Sequence, residues 1–124
     1  MLEPLDGYLK LAEHLWNHGN AFEGAWNFGP NEEDAKPVSW VADHLIQKWG
    51  NNARWFSDSN QNLHEATYLK LDCSKARALL KWKPKLKIEE AINCIVNWYK
   101  AFASSKDMRA ITIDEIDQYE KISE

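Results

Sequence analysis

A chain of 124 residues, 44% hydrophobic and carrying seven tryptophans, has material for one core, but a domain this small leaves much apolar surface to cover. Its net charge of −4 weighs against nucleic acid as a partner, because counterion release calls for a basic surface. No run nears the ~20 apolar residues of a membrane span, the start Met-Leu-Glu-Pro-Leu-Asp lacks a basic segment and an apolar signal core, and two cysteines suit a reducing compartment. A cytoplasmic protein without membrane contact is the expectation.

In chain order, Leu5, Tyr8, Leu9, Ala12, Leu15 and Trp16 recur at three and four residues, which predicts an amphipathic helix over 4–17 with Pro4 in its first turn and Gly19 past its end. His14 and His18 stand at i, i+4 on it. That is metal-like geometry without an obvious third ligand, so a solvated helix face is the simpler reading and no metal is expected. Ala25-Trp-Asn-Phe28, stopped by Gly29-Pro30, reads as a short strand and 31–36 as its loop. Pro37 opens a second helix with Val38, Val41, Leu45 and Trp49 as a buried stripe. Gly50 ends that helix, and Ala53-Arg-Trp-Phe56 reads as a second strand. Strand, helix and strand within some thirty residues predict a right-handed βαβ unit.

In the second half, 68–71 reads as a third short strand, after which Asp72 is placed to cap a helix from 73 to about 80. Pro84 breaks the chain again. Ile88, Ala91, Ile92, Ile95, Tyr99 and Phe102 mark a long amphipathic helix, 104–107 is the only candidate linker, and Thr112-Ile-Asp-Glu115 has capping-box spacing for a final short helix. The predicted fold class is α/β: a helix-rich small domain with a short βαβ unit, few short strands and four to five helices. Residues 1–106 form the main domain and 107–124 a peripheral helical tail.

Charge is uneven along this frame. Lys70, Lys75, Arg77, Lys81, Lys83, Lys85 and Lys87 put seven of the fifteen basic residues into eighteen positions, opposed there only by Asp72. Part of this segment suits a diphosphate, with Lys70 and Lys75 the better candidates; otherwise it is a solvated face, paired in part with the acidic tail. Cys73 and Cys94 read as small buried hydrophobes. Trp82 and Trp98, flanked by helix and proline signals, read as core anchors.

Three signatures in order, Asp72-Cys-Ser-Lys75, Leu80-Lys-Trp-Lys-Pro84 and Trp98-Tyr99, following Trp26-Asn-Phe-Gly29, resemble the closing segment of extended short-chain dehydrogenase/reductases that act on sugar nucleotides. The resemblance covers about 1–104. Fuller strings, Leu2-Glu-Pro-Leu5, Ala25-Trp-Asn-Phe-Gly-Pro-Asn31, Ala35-Lys-Pro-Val-Ser-Trp40 and His64 to Lys75, are most similar to the CDP-glucose 4,6-dehydratase branch, and 107–118 looks like that branch's terminal extension.

The resemblance implies the C-terminal, nucleotide-sugar-binding domain of an NAD-dependent lyase of deoxysugar biosynthesis. In that family, transient oxidation at C4 of a nucleotide-linked hexose acidifies C5 and lets water leave across C5 and C6. The family's Gly-rich turn and Tyr-x-x-x-Lys pair are not found here: the sequence has no G-x-G-x-x-G, and Tyr8, Tyr68 and Tyr99 are followed four residues on by Ala12, Asp72 and Ala103. The expectation is therefore a truncated part of such an enzyme, inactive alone, with no catalytic residue and no NAD held by this chain. Its expected partners are CDP-glucose and the absent N-terminal dinucleotide-binding domain, with self-association through the exposed docking face as a further expectation.

Many relatives grip the diphosphate with an arginine just before the position of Tyr68, where this sequence has His64-Glu-Ala-Thr67. His64, Arg54 or Lys70 is the expected substitute, with Tyr68 and Lys75 as further substrate contacts and Tyr68 equally readable as packing. Two other readings stand beside this one: a stand-alone nucleotide-sugar-binding module, and a protein-interaction module that presents an apolar face.

Overall fold

The computed structural model describes residues 1–56 and 71–122. Five α-helices follow one another: α1 (Leu2–His18), α2 (Val38–Trp49), α3 (Ser74–Leu79), α4 (Ile88–Ala103) and α5 (Met108–Glu120), with short 3-10 turns at Gly19–Phe22 and Glu32–Asp34. Helix ends fall where the sequence signals put them. Gly19 and Gly50 close α1 and α2 at φ values of +57° and +73°, a region open to glycine without a Cβ penalty. Asp72 accepts from the Ser74 amide at 2.8 Å, the first amide of α3, but the cap position itself is taken by Cys73, one residue later than expected.

The α/β expectation is overturned, because among the described residues there is no strand and hence no βαβ unit. Residues 25–28 do alternate, with Phe28 buried, Trp26 half-buried and Ala25 and Asn27 exposed. What they lack is a ladder: among the described residues, 24–30 make no main-chain hydrogen bond to another main chain. Alternation alone does not make a strand, since pairing supplies the backbone bonds. At 53–56, Arg54, Trp55 and Phe56 are exposed, and Trp55 donates its indole N–H to Asp43 at 2.9 Å. The third expected strand, 68–71, lies outside the described residues except for Leu71.

Two further expectations are corrected. The stripe expected to be buried on α2 is not: Val38 is 80% exposed, and Val41, Leu45 and Trp49 are only half-buried. The apolar stripe of α1 likewise points outward, with Leu5, Tyr8, Leu9 and Trp16 exposed by 45%, 56%, 73% and 90%. The inner face instead carries Gly7, Leu11 and His14, because the small Gly7 admits the Phe28 ring. A Cβ at Gly7 would come within 2.6 Å of Phe28 Cε1. The final helix starts at Asp107, whose carboxylate accepts from the amides of Arg109 and Ala110, so Thr112 is interior rather than a cap. Its hydroxyl donates to the Met108 carbonyl and accepts the Trp98 indole N–H at 3.0 Å.

Phe28, Cys73, Ala76, Leu80 and Trp82 form the core, with Leu11, Phe22 and Trp26 packed against it. Trp82 is fully buried, and its ring meets Phe28 edge to face at 5.0 Å. Away from this core, α4 packs against α2 and turns back into α5, burying Ile92 and Val96. Two carboxylates join the parts. Glu3 accepts from the amides of Lys85 and Leu86 and from the Tyr119 hydroxyl, and buried Asp34 accepts from the Ile88 amide at the start of α4.

Gly7→Ala tests the wedge, because two effects oppose each other there. Alanine gains about 1 kcal/mol of helix propensity, while overpacking of a filled core costs about 1–3 kcal/mol. The expected net result is a lower urea midpoint by circular dichroism, and an unchanged or raised midpoint would show that Phe28 is not seated on Gly7.

Candidate functional site

A cleft of about 300 Å3 opens where the start of α3 faces the turn after Phe28. One wall is Pro30, Asn31, Glu32 and Ala35; the other is Leu71, Asp72, Cys73, Ser74 and Arg77. Gly29 allows the close approach: a Cβ there would stand 3.2 Å from Leu71 Cδ1 and 3.5 Å from Cys73 Sγ. Asn27 fastens the second wall by donating its side-chain amide to the Asp72 carbonyl at 3.1 Å. Ser74 and Arg77 lie three residues apart and so share one face of α3.

Arg77 is the cation of this cleft. Its guanidinium donates to Asn31 Oδ1 at 3.0 Å, and the side chain is otherwise exposed, leaving fork geometry available to an anion. Hydrogen bonds from Ser74, the hydroxyl first and the amide second, hold the Asp72 carboxyl below its ordinary 3.8, and the charge of Arg77 adds to this. With Glu32 on the opposite wall, the described lining includes one guanidinium and two acidic residues. Such a set is chemically matched to a ligand that carries both an anion and hydrogen-bond donors more than to a bare phosphate.

The residues singled out by sequence are dispersed. Lys75 points away from the cleft lining: its ammonium donates to the Ala25 carbonyl at 3.2 Å and sits 4.1 Å from the centroid of the Trp26 ring. Arg54 is exposed after α2 and does not line the cleft. His64, Tyr68 and Lys70 lie outside the described residues, although the covalent chain enters the cleft at Leu71, one residue beyond Lys70. Sequence reasoning grouped Arg77 with the basic segment and did not single it out. The i, i+3 relation to Ser74 within Asp72-Cys-Ser-Lys-Ala-Arg77 was the available signal.

The other reactive groups are quiet. Burial, followed by the charge of Glu115, pushes the Cys94 thiol up, and Cys73 is buried at 4% exposure, so neither matches a poised thiolate nucleophile. His14 and His18 have ring centroids 5.7 Å apart, and both rings lie tilted beside Phe22, at 4.6 Å and 5.7 Å. The described residues do not cradle a dinucleotide either. Gly19 and Gly50 follow helices rather than lead into one, Gly24 faces the Lys75 ammonium, and Gly7 and Gly29 are filled against side chains. No described helix is long and apolar enough to cross a membrane.

The structure gives helices and a mixed-charge cleft, and comparison with known proteins adds a relative. No family model matches the chain. It is similar to CDP-glucose 4,6-dehydratase of Salmonella typhimurium strain LT2, being 44% identical over 119 residues. That similarity takes in 96% of this chain, which spans 33% of the length of the dehydratase. The resemblance read from the sequence is thus supported over nearly the whole chain.

The titration of Asp72 gives a test of how the second wall is held. A carboxyl lowered in the folded state stabilises the fold above its ordinary value of 3.8, and that contribution is lost as pH falls through the folded value. Thermal melts of the wild-type chain and Asp72→Asn should therefore differ most above about pH 5 and converge in more acidic buffer. A gap in melting temperature that is constant with pH would show that the Asp72 charge does not hold α3.

Proposed function

We propose that this chain is the substrate-facing, C-terminal portion of an NAD-dependent CDP-glucose 4,6-dehydratase, a lyase forming the 4-keto-6-deoxy sugar in the cytoplasm. The observation that carries this reading is the 44% identity spread over 96% of the chain. The cleft at Arg77 supports it, because a nucleoside diphosphate sugar presents both an anion and hydroxyl or amino donors.

NAD would supply oxidation at C4 and return the hydride after water has left. The described residues of this chain do not fit that group, so its binding falls to the rest of such an enzyme. What this chain contributes is orientation. Arg77 donates to a phosphate oxygen, Asp72 and Glu32 accept from hydroxyl or amino groups, and Asn31 keeps the guanidinium turned into the cleft. His64, Tyr68 and Lys70, which the sequence resemblance singles out, we assign to the same ligand. Arg54 and Lys75 are assigned supporting roles at its margin, Lys75 by holding 25–28 through the Ala25 carbonyl.

Calorimetric titration of the 124-residue chain with CDP-glucose, CDP, UDP, GDP and thymidine diphosphate tests this reading. The expected result is preference for the cytidine nucleotides, weakened about tenfold by Arg77→Ala, since a hydrogen bond to a charged group contributes about 1.5–3 kcal/mol. Preference for another nucleotide would overturn the branch. Unchanged affinity in Arg77→Ala would move the site away from this cleft.

A further inference from the structure

The outward stripe of α1 is too continuous to be ordinary surface. Leu5, Tyr8, Leu9, Ala12 and Trp16 follow at intervals of one, three and four residues, so they line one side of the helix, with Leu9 73% and Trp16 90% exposed. Apolar residues exposed singly are normal, whereas a contiguous stripe marks a contact surface. The opposite side of α1 is committed to the core, where the Phe28 ring fills the space at Gly7 and Leu11 packs against the buried cluster. Rolling the helix to bury the stripe would break that core, so the stripe stays outward and its cover has to come to it.

We infer that the α1 stripe is the docking surface for the rest of a dehydratase, the part for which this chain has no counterpart, through an apolar patch of matching size. The inference rests on the proposed function. Two observations select this occupant over a second copy of the chain.

The first is placement. This chain spans 33% of the dehydratase, and as the C-terminal portion proposed above it is joined to the remainder at α1, the helix that carries the stripe. So short a tether holds the occupant at a high effective concentration beside its surface. The second is area. Aromatic side chains bury about 150–250 Å2 each, so at these exposures the stripe presents on the order of 500 Å2. Two copies meeting on it would bury about 1,000 Å2 together, short of the ~1,200–2,000 Å2 typical of freely associating partners. The same area is ordinary between domains of one chain, where the covalent link has already removed most of the cost of association.

The test is a chimera in which this chain replaces the matching third of the Salmonella dehydratase, compared with the 124-residue chain alone by hydroxyl-radical footprinting, which reads the solvent access of side chains. Tyr8, Leu9 and Trp16 should be modified rapidly in the isolated chain and about tenfold more slowly in the chimera, because a covered residue reacts only when the contact opens. Leu9→Glu/Trp16→Glu in the chimera should return Leu5 and Tyr8 to the isolated-chain rate. Equal, fast modification in both proteins overturns the inference. So does slow modification in the isolated chain: sedimentation then assigns the cover to a second copy if the chain is dimeric, or to another part of the same chain if it is monomeric. The calorimetric titration judges the functional reading separately, so a protected stripe without cytidine preference upholds the docking surface and sinks the branch assignment. If the chimera is insoluble, the isolated chain decides. There Leu9→Glu/Trp16→Glu should lower binding of a hydrophobic dye about threefold with helix content unchanged, and equal dye binding overturns the proposal.

Discussion

The Phe28 ring is the contact on which the rest of this structure turns. It lies where Gly7 leaves no side chain, meets Tyr8 and Trp82 edge to face, and so locks α1, the extended stretch after it and the segment following α3 into one core. Each of these depends on the others. With a larger residue at position 7 the ring has no seat, and without the ring Trp82 loses one of its principal neighbours. Because Phe28 is pinned, Gly29 and Pro30 emerge beside Leu71 and Cys73, and the cleft is a direct consequence of that placement.

Two carboxylates then tie the peripheral helices to this core. Glu3, in the first turn of α1, gathers amides from the 85–86 loop and the hydroxyl of Tyr119 from α5, residues more than eighty positions away. Asp34 supplies an acceptor to the open amide of Ile88, and Glu90 closes the same helix start by accepting from the Lys87 amide at 2.8 Å. Hydrogen bonds to a charged acceptor are the stronger kind, and here they stand in for the apolar area that a small domain lacks. The Leu2-Glu-Pro-Leu string that contributes to the family resemblance therefore has a physical role: it starts α1 and places Glu3 at this junction.

Function follows from what the core leaves open. The cleft mixes apolar lining from Pro30, Ala35, Leu71 and Cys73 with polar groups, among them Arg77, which donates to Asn31, and Asp72, whose carboxyl Ser74 holds below its ordinary value. Among the described residues, the same fold leaves the α1 stripe in solvent and gives the 25–28 backbone no main-chain partner. The chain spans a third of the length of the dehydratase it resembles, and its exposed apolar stripe on α1 is larger than isolated surface residues would make.

Local rules placed much of this correctly. The helix starts and stops at Gly19, Pro37, Gly50 and, to within a residue, Asp72, the burial of Trp82 and Cys73 and the 104–107 turn were legible, because capping and turn chemistry act over a few residues. Motif order also pointed to the dehydratase, since spacing persists where individual contacts vary. Three features were decided by tertiary structure alone. Periodicity says that α1 has an apolar face but not what will cover it, so the apolar stripe is the exposed side, and Gly7, too small to register as hydrophobic, marks the buried one. Alternation at 25–28 describes a strand's side chains, while a strand exists only when another backbone supplies its ladder. Arg77 became a site residue only when Asn31, forty-six positions earlier, was folded against it, a pairing made by the Phe28 core and by no local signal.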